Sequence, residues 1–209
     1  MVLVSLLSSI LKISQQRYPG PSPGFDKAHT LMVLMMLGQE KAIGRQSLSE
    51  RTGLGQGSVR TILKRLRREG YLVSDIQGCH LTELGRNLYS AFLRKLVGPV
   101  SLNGASLTVG SSHSAILVRS SGPSPGIGIK QRDSAVHIGA SGATTYVIKA
   151  GKFQVPGGSD NCEKDFPSKA WVTLREKLGP RNGDIVIVCG ATEETTAKLG
   201  AISAALTLI

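Results

Sequence analysis

The sequence predicts an α+β protein of two domains: a mainly helical first half closed by a β-hairpin, and a second half built over one mainly antiparallel sheet. Three observations carry this. The chain has 209 residues, 41% of them hydrophobic, which is enough for two modest cores. Near residue 98 the hydrophobic spacing changes from helical i, i+3, i+4 repeats to short runs rich in Val, Ile, Ser and Thr broken by Gly. The charge is uneven: residues 1–98 carry 14 Lys/Arg against 6 Asp/Glu, net +8, and residues 99–209 carry 11 against 8, net +3. A polyanionic partner therefore belongs with the first half. The expected divisions are 1–24, an amphipathic segment and Pro/Gly linker; 25–98, the first domain; and 99–209, the second.

In MVLVSLLSSILKI, residues Leu3, Leu6, Leu7, Ile10 and Leu11 follow the spacing of an amphipathic helix. The run is too short to span a bilayer and has no cation ahead of it, so neither a secretory signal nor a membrane anchor is expected. Two readings stay open for it: packing on its own domain, or helping to form a dimer. Tyr18 to Gly24, YPGPSPG, cannot continue a helix. Asp26 is expected to cap a buried helix over Lys27 to Leu37, with Met35 and Met36 as core filling. Ser47 and Glu50, in S-L-S-E, fit a capping box for a second, short helix.

The glycines Gly53, Gly55 and Gly57 then allow a tight turn into QGSVRTILKRLRREG, Gln56 to Gly70. On a helical wheel Val59, Ile62, Leu63 and Leu66 share an arc of about 100°, and Arg60, Lys64, Arg67 and Arg68 share another. One face requires a core and the other suits an anion. Short apolar runs at Tyr71–Val73 and Cys79–Leu81, around Gln77-Gly78, read as a hairpin. The whole is a winged helix-turn-helix, whose second helix enters the DNA major groove. Gln56, Ser58, Arg60, Thr61 and Lys64 are placed to reach base edges, and Arg65, Arg67 and Arg68 to hold phosphates. The hairpin has no Lys or Arg and carries Asp75, so it contributes little phosphate contact. After Thr82 the repeat Leu84, Leu88, Phe92, Leu96 predicts a helix up to Gly98-Pro99, a stripe whose partner is the first domain's own core, the second domain or the same helix of another subunit, the last being the expected dimer.

In the second half, strands are expected near Leu107–Val109 and Ala115–Val118, followed by a Pro/Gly loop, SSGPSPG, and a helix through Lys130–Ile138. A hairpin of Thr144–Ile148 and Lys152–Val155 turns at Ala150-Gly151. A loop over Gly157–Asp165, a helix over Ser168–Leu178, a strand over Asp184–Cys189 and a last helix after Gly190 complete it. Gly126 and Gly128 precede a helix start whose N–H groups, with Lys130 and Arg132, suit an anionic ligand. Gln131 and Asp133 add polar groups, and the small residues around Thr144 and Thr145 let a ligand approach the backbone. An ordinary tight turn with surface charges explains the same residues. Gly190–Thr192 is a second anion-type candidate.

Catalytic signatures are missing: there is no G-x-S-x-G, no G-x-x-x-x-G-K-[ST] and no H-E-x-x-H. No enzyme activity, catalytic residue, cofactor or metal site is expected. Cys79, Cys162 and Cys189 are odd in number and widely spaced, which suits a reducing, cytoplasmic location.

From about Gly24 onward the chain resembles an archaeal two-domain family, a winged helix followed by a domain of unknown function. LGQGSVRTILKRLRREGYL and GCHLTELGR carry the resemblance in the first half. GIKQRDSAVHIGASGATTYVIKAGKFQVPG and GDIVIVCGA carry it in the second and are the more specific. It implies a transcription regulator with an α+β sensor or assembly domain, similar to the small insert domain of some bacterial aspartyl-tRNA synthetases. It implies no ligand. The expected function is thus a homodimeric, ligand-responsive regulator whose partners are double-stranded DNA and a small anionic effector. Two alternatives stand beside it: a protein using the same basic helix on RNA or the transcription or translation machinery, and an enzyme fused to a DNA-binding domain.

Overall fold

The computed structural model describes residues 2–15, 23–103, 107–119 and 124–209. Most of the Pro/Gly linker expected over 18–24, and the first four residues of SSGPSPG, lie outside them. The chain divides into two units, Met1–Leu93 and Arg94–Ile209.

The first unit runs α1 (Val2–Ser14), α2 (Lys27–Gln39), α3 (Arg45–Thr52), α4 (Gln56–Arg68), β1 (Leu72–Asp75), β2 (Gly78–Leu81) and α5 (Glu83–Leu93). Helix α2 is the buried centre, with every residue from Thr30 to Leu37 inside. Asp26 caps it as expected: its carboxylate accepts from the N–H groups of Ala28 at 2.8 Å and His29 at 3.2 Å. Helix α1 packs on α2, α4 and α5 through Leu6, Ile10 and Ile13, so this part of the apolar N-terminal stripe serves its own domain; Leu7 and Leu11 are half-buried, and the Leu3 side chain lies outside the described residues.

Two sequence expectations differ here. Helix α3 starts at Arg45, behind a Gly44 N-cap without a side-chain bond, so Ser47 sits inside the first turn and forms no capping box. The bridge between Ile43 and Cys79 ties the chain to the hairpin immediately upstream, and this sets the helix start. Helix α5 ends at Leu93 and Leu96 opens a strand. Lys95 and Leu96 are drawn into pairing with residues 118 and 119, and this long-range ladder overrides the i+4 repeat. Leu88 and Phe92 are core residues, while Leu84 stays exposed.

The second unit runs β3 (Leu96–Leu102), β4 (Ser112–Val118), α6 (Ile129–His137), β5 (Gly142–Lys149), β6 (Lys152–Gln154), α7 (Cys162–Asp165), α8 (Ala170–Leu178), β7 (Ile185–Ala191) and α9 (Glu194–Ala205). Its five strands form one antiparallel sheet in the order β3-β4-β7-β5-β6. Pro99, which has no N–H to give, sits in the edge strand β3 at a bulge. Alternation sends Ala115, Leu117, Tyr146, Ile148, Val186 and Val188 to one face, where they pack on Trp171, Leu174 and Leu178 of α8. Helices α6 and α9 cover the other face. Residues Leu107–Val109, expected as a strand, instead form a bent strap, because their carbonyls serve side chains: Leu107 accepts from Thr144 and Tyr146, and Thr108 meets His113. Among the described residues, no helix is long and apolar enough to cross a membrane.

Candidate nucleic-acid interface

Helix α4 is held by its apolar face. Val59, Ile62 and Leu66 are fully buried and Leu63 nearly so, which fixes the rotation of the opposite face. The turn into it is made by Gly53, whose φ of 70° terminates α3 in the left-handed conformation. Gln56, Arg60, Lys64, Arg67 and Arg68 are exposed, and Ser58 and Thr61 half-buried. Thr61 spends its hydroxyl proton on the Gly57 carbonyl at 2.9 Å. Among the described residues Arg60 and Lys64 have no ion-pair partner, so both cations are available to a ligand.

The remaining cations divide by what they touch. Arg65 turns inward and donates to the carbonyls of Ile13, Ser14 and Gln15 at 2.7, 3.2 and 2.9 Å. Its guanidinium lies 5.3 Å from the centre of the Phe25 ring. A cation at the carbonyl end of α1 satisfies acceptors that the helix leaves open. This revises the sequence assignment of Arg65 to phosphate. Arg67 reaches Ser74 of the hairpin at 2.6 Å, and Arg68 lies 3.8 Å from Glu69, which also holds Lys12 at 2.6 Å. Replacing Arg65 by alanine is expected to destabilise the fold by about 1.5–3 kcal/mol, the usual worth of hydrogen bonds from a charged group. The salt slope of nucleic-acid binding should not change. Urea unfolding and binding titrations measure the two; a fall of about 1 in the slope per subunit would put Arg65 on a phosphate.

The hairpin turns at Ile76-Gln77, where the Asp75 carboxylate accepts from the Gln77 N–H at 2.8 Å. Ile76 stands fully exposed at the tip. With Asp75 beside it facing His80 at 3.6 Å, the tip has little to offer a phosphate.

In the second unit the candidate ligand residues are split between the two faces of the sheet. Gln131 is buried and donates to Thr207 at 2.9 Å; Thr145 is buried against Gly128 at the start of α6. Gln131 Oε1 and Thr145 Oγ1 are, among the described residues, the buried side-chain atoms without a hydrogen-bond partner. Lys130 and Asp133 are exposed. Arg132, exposed on α6, and Thr144, on the opposite face of β5, both border a cavity of about 580 Å³. Tyr146 and Phe166, which also line it, were not among the sequence candidates; the period-2 alternation of β5, which puts Tyr146 on the same face as Thr144, carried that signal. The second anion candidate is filled by protein: a Cβ at Gly190 would overlap the Val109 carbonyl, so its close approach serves the strap. The three cysteines are free and buried, and burial pushes the Cys189 thiol up to about 12.

The two neighbouring threonines give opposite expectations. Thr145→Val removes an unmet hydroxyl and should raise stability by about 1 kcal/mol, whereas Thr144→Val loses a bond to Leu107 and should cost about as much. Chemical denaturation of both variants checks this; equal effects would mean that Thr145 has a partner.

Two family models match the chain. Residues 29–87 match the PH0730-like, N-terminal domain, and residues 109–208 match a domain of unknown function, DUF4443. The solved structure of hypothetical protein PH0730 from Pyrococcus horikoshii OT3 is similar over 87% of this chain and 91% of that one, with 27% identity and a TM-score of 0.71. That likeness spans both units and shows the two-part fold. A MarR/EmrR family transcriptional regulator from Acinetobacter sp. ADP1 is 22% identical over 34% of this chain and 52% of its own, with a TM-score of 0.29. The Mycobacterium tuberculosis MarR family protein Rv2887 is 21% identical over 44% and 70%, also at 0.29. None of the curated proteins matches the chain.

Proposed function

We propose that this chain is a transcription regulator of archaeal type, acting in the cytoplasm as a dimer on double-stranded DNA through α4. The observation that carries the reading is the rotation of that helix. Burial of Val59, Ile62, Leu63 and Leu66 turns Arg60 and Lys64 outward, without ion-pair partners among the described residues, behind an exposed Gln56 at the helix N-terminus. A helix presented this way after a short helix and tight turn has the docking geometry of a major-groove reader. One such helix covers few base pairs, so two copies at half-site spacing supply a genomic site. The second domain acts by binding rather than catalysis and couples a small anionic effector to that spacing.

Competition at fixed salt between duplex DNA and structured RNA tests the reading. Preference for duplex is expected; displacement from duplex by equimolar RNA would favour the RNA-binding alternative.

A further inference from the structure

The second unit holds a cavity with a mainly apolar lining and Arg132 at its border. It opens where β5 runs past the end of β6: pairing to β6 covers only Val147, Ile148 and Lys149, and the cavity lies beside the uncovered stretch from Gly142 to Tyr146. Its volume, about 580 Å³, falls in the range of small-molecule sites. The body is apolar, made by Leu107, Val109, Tyr146, Val155 and Phe166. Val109 and Phe166 form part of this lining and remain 61% and 59% exposed, apolar surface that an apolar ligand would cover.

The polar groups narrow the choice further. The Leu107 carbonyl accepts from both Thr144 Oγ1 at 3.1 Å and the Tyr146 hydroxyl at 3.0 Å. Those two hydroxyl protons are thereby spent on the protein, and burial raises the Tyr146 pKa so that the phenol stays neutral. The charged donor in the lining is Arg132. It is held by its neighbour Asp133, with bonds of 3.1 and 2.8 Å. Both side chains are more than half exposed, so this pair competes only weakly with a ligand carboxylate.

We propose that this cavity binds a small amphipathic monoanion, its apolar body against Tyr146, Val155 and Phe166 and its carboxylate on Arg132. In calling that ligand the effector, the proposal rests on the sensor reading of this domain; the binding itself does not.

The test uses the full chain without DNA. Trp171 is the single tryptophan, stacked edge-on at 5.2 Å against Tyr146 and donating to the Phe166 carbonyl at 2.8 Å. Its emission therefore reports on the cavity wall. Naphthalene-2-carboxylate and the neutral naphthalene-2-carboxamide share one body and differ in charge. The carboxylate should bind one per chain and at least about tenfold more tightly than the amide, the difference being a charge-assisted contact. Arg132→Gln should abolish that preference, Asp133→Asn should enlarge it, and Phe166→Ala should weaken both ligands. All three positions are exposed, and circular dichroism of each variant checks that it folds. Equal binding of the two probes, no binding of either, or a preference that survives Arg132→Gln overturns the proposal. Adding the carboxylate to the duplex complex separates the two layers: binding that leaves DNA affinity unchanged sinks the effector reading and leaves the site standing.

Discussion

Arg60→Ala is expected to cost about 1–3 kcal/mol on a preferred duplex and to flatten the preference among sequences, because Arg60 is an outward cation on the exposed face of α4, without an ion-pair partner among the described residues. Arg68→Ala should instead weaken all duplexes together. Burial of the opposite face leaves no alternative rotation of the helix, since turning it by one residue would expose Ile62 or Leu66. Titration of a selected site and a scrambled site, at one salt concentration, measures both effects. If Arg68→Ala relaxes sequence preference and Arg60→Ala does not, the division between base and phosphate contacts is reversed.

Trp171→Ala is expected to destabilise the second unit by about 3–5 kcal/mol, the range for removing a large buried aromatic. Trp171 is buried against Tyr146 and against Phe153, whose ring centre lies 5.0 Å away, and its indole N–H is spent on Phe166. The cavity left would also loosen the wall formed by Tyr146 and Phe166. Trp171→Phe should recover most of the stability without the indole bond. Urea unfolding followed by circular dichroism gives both values; a loss below about 1 kcal/mol for alanine would mean that this aromatic cluster does not anchor the sheet to α8.

What was legible in the sequence was local. The wheel of α4 separated Val59, Ile62, Leu63 and Leu66 from the cations, and the structure buries those four. Asp26 could be recognised as a cap because the N–H groups that donate to it lie two and three residues away. The Ala150-Gly151 turn was legible because Gly151 tolerates the positive φ, 72°, that a tight hairpin turn requires.

The misreadings came from distant partners. Ser47 looked like a cap, but Ile43 is fixed by Cys79, far along the chain. Leu96 completed a helical stripe, yet it pairs with Val118. Arg65 read as a surface charge, and its acceptors are about fifty residues upstream. The ligand candidates are dispersed, because Lys130 to Asp133 are contiguous in sequence while a helix sends neighbours to different surroundings. Gln131 points into the core and Arg132 borders the cavity.

The central claim, that α4 binds duplex DNA through its outward cations, is tested most directly by the salt dependence of duplex affinity. With Arg65 committed to α1, the remaining phosphate-facing cations Arg67 and Arg68 should neutralise about 4 phosphates per dimer, fewer than a count of all the basic residues suggests, and predict a log-log slope of about −4. Arg68→Ala should make that slope shallower by about 1 per subunit. A wild-type slope near zero, or a steep slope unmoved by Arg68→Ala, would contradict the account.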